Sequence, residues 1–166
     1  MQKKLSILNL LSVILVIAVN YISQAVRIND TTIGELSQRY TNLFTPASYA
    51  FAIWGLIFLG LLAYALYQIK VVVFDKKDLA YIEQTGYWFA LANVLNGLWV
   101  ITFAYEYMGL TVIIMAGILL SLIKIIINTN MERWDAPKEI IAFSWWPICL
   151  YSGWITVATI ANIALY

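Results

Sequence analysis

FTPASYAFAIWGLIFLG, residues 44–60, starts an apolar run shortly after Pro46. Within it Phe51, Trp54 and Phe58 stand three and four residues apart, which on an α-helix turns their rings to one side. That face meets either lipid or an internal pocket. Similar runs recur along the 166 residues, over about 5–26, 47–69, 86–105, 110–128 and 143–166. Each is close to the roughly 20 residues that span a bilayer core. The chain is 63% hydrophobic and 11% charged, whereas a soluble domain is about half apolar and about a quarter charged. The fold class that follows is all-α: an integral membrane bundle of five transmembrane helices in a single domain, 1–166.

Lysine and arginine set the expected orientation. With the N-terminus cytoplasmic, Lys3, Lys4, Lys70, Lys76, Lys77, Lys124, Arg133 and Lys138 fall inside, and only Arg27 and Arg39 fall outside. This asymmetry follows the positive-inside rule. It predicts a C-terminus on the outside, and a bacterial inner membrane is the expected location. Met1-Gln-Lys-Lys, the first apolar run and Ser23-Gln24-Ala25 also read as a secretory signal peptide, whose removal would leave four spans. One cysteine, Cys149, allows no internal disulfide. A net charge of +1 offers nothing to attract nucleic acid.

The connections are unequal. Glu106-Tyr-Met-Gly109 joins the third and fourth runs as a tight hairpin, while residues 27–46 form a long outer loop. In that loop Asn29-Asp30-Thr31-Thr32 reads as a capping cluster before a short helix over Ile33–Tyr40. Such a segment at one mouth of a small bundle is either a lid or a solvated connector.

Histidine is absent, and no carboxylate sits in the middle of a run, so neither a metal site nor an acid–base dyad has obvious members. No catalytic residues, metal or required cofactor are expected. The runs do contain aromatics and amides. Asn93 and Asn96 lie about a turn apart with Trp99 beyond them, and Pro147, Tyr151, Trp154, Ala158 and Asn162 align along the last run. An amide without a partner in hydrocarbon costs about 2–7 kcal/mol, so Asn93, Asn96 and Asn162 should face the interior. There they either join helices while the rings fill the core, or they supply the polar groups of an apolar pocket. Trp134, Trp145 and Trp146 are expected as interfacial anchors, and Gly86 with Ala90 would permit close helix contact.

Three segments, in order, are similar to the TspO/MBR family, the translocator proteins or tryptophan-rich sensory proteins. Pro46 is followed eight residues later by Trp54 and then by Phe58. Asn93-Val-Leu-Asn96-Gly-Leu-Trp99 resembles the family's third-span segment. Tyr151-Ser-Gly-Trp154-Ile-Thr-Val-Ala158-Thr159-Ile-Ala-Asn162 resembles its fifth. Leu43-Phe44-Thr45-Pro46 departs from the family's Trp-x-Pro-Pro run.

The resemblance implies a five-helix bundle, commonly a homodimer, with a pocket under the first loop for porphyrin, haem or a related hydrophobic small molecule. It implies Trp54 and Trp154 as pocket tryptophans, with Phe58, Asn93, Asn96 and Ala158 in the same cavity. Phe51, Trp99 and Tyr151 join them as candidate ligand-binding residues by their place on the same helix faces. The leading reading is a sensor or transporter of a planar, tetrapyrrole-like or lipid-like ligand held between spans 2, 3 and 5. The alternatives are an accessory membrane subunit without a ligand and a tryptophan-dependent tetrapyrrole-degrading enzyme.

Overall fold

A computed structural model describes residues 1–41 and 44–165. Asn42, Leu43 and Tyr166 lie outside the described residues, and with them one position of the divergent 43–46 segment and the last residue of the fifth expected span. The elements are α1 (Gln2–Val26), α2 (Ile33–Arg39), α3 (Ile53–Ile69), α4 (Ala80–Thr85), α5 (Trp88–Ala104), α6 (Met108–Asn128), α7 (Lys138–Ile140) and α8 (Trp146–Leu165). A 3₁₀ turn, Ser48–Ala52, leads into α3, and a π turn, Lys70–Phe74, closes it. A second π turn, Ile141–Trp145, joins α7 to α8.

Among the described residues, four helical stretches are long and apolar enough to cross a membrane: Gln2–Val26, Ser48–Phe74, Met108–Asn128 and Lys138–Leu165. The fifth apolar helix, α5, has 17 residues and at about 1.5 Å per residue is short for a hydrocarbon core of about 30 Å. Exposed Tyr87 and Trp88 at one end of it, and Tyr105 and Tyr107 at the other, suit the headgroup regions. The outward surface is aliphatic, with Leu11, Ile14, Leu56, Leu59, Ile113, Leu120, Ile160 and Ile163 all exposed. This is the surface of an integral membrane protein.

The five long helices form a closed ring. α1 packs on α3, α3 on α8, α8 on α6, α6 on α5, and α5 back on α1. Where α3 meets α8, Gly60 packs against Pro147, and a Cβ added there would sit in ordinary van der Waals contact with it at 3.5 Å. Pro147 also accounts for the π turn before it. Proline has no N–H to give to Phe143, and its ring would crowd that carbonyl in a regular helix. Widening the preceding turn removes the conflict.

Two expectations fail here. Gly86 ends α4 with φ +57, ahead of the first residue of α5, so Gly86 and Ala90 do not form a small-residue stripe on one helix. Trp145 is buried and meets Trp134 edge-on at 5.8 Å, so it belongs to the core; Trp134 and Trp146 are exposed, as interfacial residues would be. A lone helix pattern cannot separate these cases, because the π turn rotates Trp145 relative to the helix that follows.

Candidate ligand cavity

Helix α2 and Pro46 lie over one end of the ring, here called the lid end. Helix α2 begins with a capping box: the Glu35 N–H donates to Thr32 Oγ1 at 3.2 Å, and the Thr32 N–H donates to the Glu35 carboxylate at 3.2 Å. Arg27 forms two hydrogen bonds to the same carboxylate, at 3.0 and 2.7 Å. These bonds hold the Glu35 carboxyl below the usual range, with Arg27 the larger cause. Two contacts fasten the segment around α2 to the hairpin between α5 and α6. Asn29 Nδ2 donates to the Ala104 carbonyl at 3.1 Å, and Tyr40 OH donates to the Glu106 carboxylate. The Glu106 bond raises the Tyr40 phenol above its ordinary pKa. Glu106 is thus a partner of the segment that carries α2.

Beneath α2 lie two adjoining spaces. The larger, about 440 Å³, is lined by Ile17, Asn20, Tyr21 and Gln24 of α1, by Thr32, Ile33 and Gly34, and by Phe51, Trp54, Phe58 and Trp99. The smaller, about 30 Å³, lies toward α6 and α8, where Trp154, Ala158, Asn162 and Met115 join Phe51, Trp54 and Trp99. The three rings common to both spaces form their dividing wall. Trp54 stacks on Phe58 at 5.4 Å and meets Tyr151 and Trp154 edge-on at 6.2 and 6.3 Å. Phe51 meets Trp154 edge-on at 6.3 Å. Trp99 stacks on Phe103 at 4.9 Å, and its Nε1 donates to Asn162 Oδ1 at 3.4 Å. Such ring pairs fix one another's planes.

The candidate residues therefore divide. Phe51, Trp54, Phe58, Trp99, Trp154 and Ala158 line the spaces. Asn93, Asn96 and Tyr151 are buried in the packing below and line neither. Asn93 Nδ2 donates to Ser12 Oγ at 3.0 Å, and Asn96 Nδ2 donates to Tyr151 OH at 3.0 Å. Asn96 Oδ1 accepts from Asn20 Nδ2 at 3.3 Å. These amides tie α1, α5 and α8 together across the ring. The Trp154 N–H is buried with no partner among the described residues, which leaves a donor in the wall of the smaller space.

The wall residues on α1 were not singled out from the sequence. Of these, Asn20 carries a signal, since with Asn9, Ser12 and Ser23 it marks one polar face on an otherwise apolar helix. The lid residues Ile33 and Ser37 carried none, because a seven-residue amphipathic helix is too short to show which face has a partner.

A closed ring of apolar helices, with an aromatic-walled space beneath α2, defines a helical membrane bundle. The family model for TSPO-like proteins matches residues 6–166, nearly the whole chain, and the chain belongs to that family. No curated protein and no solved structure matches it.

Proposed function

We propose that the chain binds a hydrophobic, planar ligand of the porphyrin or haem type in the space beneath α2, and senses it or carries it. The observation that supports this most is the wall itself. Phe51, Trp54, Phe58 and Trp99 supply flat apolar faces, and Asn20, Gln24 and Thr32 supply a few polar groups at about 440 Å³. Drug-sized ligands occupy pockets of about 300–1,000 Å³ with this mixture of surfaces. Indole and phenyl faces suit stacking on a macrocycle, and the unpaired Trp154 N–H suits a carboxylate or carbonyl at its edge. In this reading the ligand sits against α1 and α3 as well as α5 and α8, and the lid end faces outward from a cytoplasmic N-terminus.

The competing reading, an accessory subunit without a ligand, draws support from Asn93 and Asn96, whose amides serve helix packing. Titration with protoporphyrin, followed by tryptophan fluorescence in detergent-purified protein, separates the two. Saturable quenching is expected, with Kd raised about tenfold by Trp54→Leu and by Trp154→Leu, equivalent to about 1.4 kcal/mol each. Absence of saturable quenching with any tetrapyrrole would overturn the proposal. Light-dependent loss of the porphyrin spectrum that requires both tryptophans would favour the degrading enzyme instead.

A further inference from the structure

The end of the ring opposite α2 carries two adjoining spaces of its own. The hairpin between α5 and α6 lies at the lid end, so α4, the start of α5 and the finish of α6 meet at the opposite one. The first space, about 480 Å³, is lined by Tyr81 and Gln84 of α4 and by Asn130, Arg133 and Trp134 beyond α6. The second, about 380 Å³, shares Gln84 and is lined also by Glu83, Tyr87, Trp88, Leu91 and Asn128. Asn128 Nδ2 donates to the Gln84 carbonyl at 3.2 Å and ties α6 to the residue common to both spaces. Trp134 is held as well, since its Nε1 donates to the Thr129 carbonyl at 3.3 Å.

The first space is rich in donors. Arg133 offers its guanidinium fork, Gln84 and Asn130 offer amide N–H groups, and no carboxylate lines it. None of these side chains has a hydrogen bond or an ion pair among the described residues. Lys124 adds a second cation. It is exposed one turn before Asn128 on α6, a helix of membrane-spanning length, and it too has no ion partner among the described residues. A cation at that depth draws a counter-charge from the headgroup layer. Acids stand nearby: Glu83 lines the second space, and Glu132 and Asp135 flank Arg133 in sequence. None comes within ion-pair distance of Arg133 or Lys124. The second space turns apolar toward α5, where Tyr87, Trp88 and Leu91 are exposed on the bundle surface.

A ligand that fills both spaces is anionic at one end and apolar at the other. Free phosphate would match the first space and leave the apolar border of the second unused. We propose that the two spaces form a binding site for one anionic glycerophospholipid, separate from the aromatic cavity. Arg133, with the Gln84 and Asn130 amides, holds its phosphate, Lys124 meets the same charge from the bilayer side, and an acyl chain lies along Trp88 and Leu91. Basic pockets between membrane helices receive anionic headgroups by this chemistry.

Native mass spectrometry of the delipidated protein, titrated with phosphatidylglycerol and with phosphatidylcholine, tests this. Phosphatidylglycerol should bind roughly tenfold more tightly, and Arg133→Gln and Lys124→Gln should each weaken it about fivefold, the effect of one basic side chain at an anionic headgroup. Each variant is read alone, so loss of folding in one leaves the other to decide. Changing Lys76 and Lys77 to glutamine removes charge from the same end and should leave the preference intact. Equal affinity for the two lipids, or a preference unchanged by either variant, overturns the proposal. Equal weakening by the Lys76 and Lys77 changes also overturns it, since the attraction would then be a diffuse field. Displacement of the lipid by inorganic phosphate at equal concentration would make this a free-anion site and overturn the lipid assignment.

Discussion

The two halves of the ring use the same residue types in opposite ways. At the lid end, aromatic rings stand around open space and the amides are few. In the middle of the ring, Asn93, Asn96, Asn20 and Tyr151 are joined to partners on neighbouring helices, and Asn93, Asn96 and Tyr151 line neither of the two spaces. The difference teaches that polar residues in a membrane helix need not mark the ligand. An unpaired amide in hydrocarbon is so unfavourable that helix packing claims it first. The apolar faces of rings have no such demand and can border a cavity without loss.

Removing both rings should produce the largest effect. Trp54→Leu combined with Trp154→Leu is expected to weaken protoporphyrin binding about a hundredfold, or about 2.7 kcal/mol, with a smaller fall in melting temperature than any of the asparagine changes. Fluorescence titration and thermal unfolding on the same preparation check both parts. A large loss of stability with unchanged affinity would reverse the roles of the two halves.

Asn96→Leu should do the opposite. It strands the hydroxyl of Tyr151 and one donor of Asn20, and interhelical hydrogen bonds of this kind contribute about 1–2 kcal/mol in membranes. The melting temperature should drop by several degrees while protoporphyrin affinity stays within about twofold, a change below about 0.4 kcal/mol. Weakened binding without lost stability would show that Asn96 serves the ligand directly.

The segment around α2 gives smaller effects. Tyr40→Phe removes the bond to Glu106 and should speed ligand release by a few fold in stopped-flow measurements, with Kd little changed. A release rate equal to that of the unaltered protein would make residues 27–46 a connector.

Smallest is the response to pH. The Glu35 carboxyl titrates below its ordinary 4.5 in the folded state because Arg27 and the Thr32 N–H hold its charge. Its contribution is therefore present above pH 4.5 and lost as the pH falls through the lowered value. Tyr40 behaves in the mirror sense: its pKa is raised by Glu106, so the contact persists below pH 10 and fails as the pH climbs through the raised value. Protection of the α2 amides, corrected for intrinsic exchange, should fall at both extremes, and unchanged protection would remove these contacts from the account of this segment.

Much of the fold could be read along the chain, because hydrophobic runs near 20 residues have few fates. The short helix after Asn29-Asp30-Thr31-Thr32 was legible too, since a capping box is local. The interior placement of Asn93, Asn96 and Asn162 followed from desolvation alone. Trp145 was misjudged because nearness to a helix end does not fix which way a ring faces, and as the last residue of the π turn it points to the core, against Trp134. The α1 wall went unread because a polar stripe does not name the helix it will meet.

Composition and periodicity determined that this protein is a membrane bundle, which residues are too polar to face lipid, and where rings share a helix face. Those properties depend on transfer to hydrocarbon and on helix geometry, both of which act within one segment. Only the tertiary structure decided which amides pair with one another and which rings border open space. That depends on the order of helices around the ring, where α1 closes between α3 and α5 and brings Asn20 to the cavity while Asn93 turns to Ser12. Contacts between helices far apart in sequence are a property of packing, and no single segment contains them.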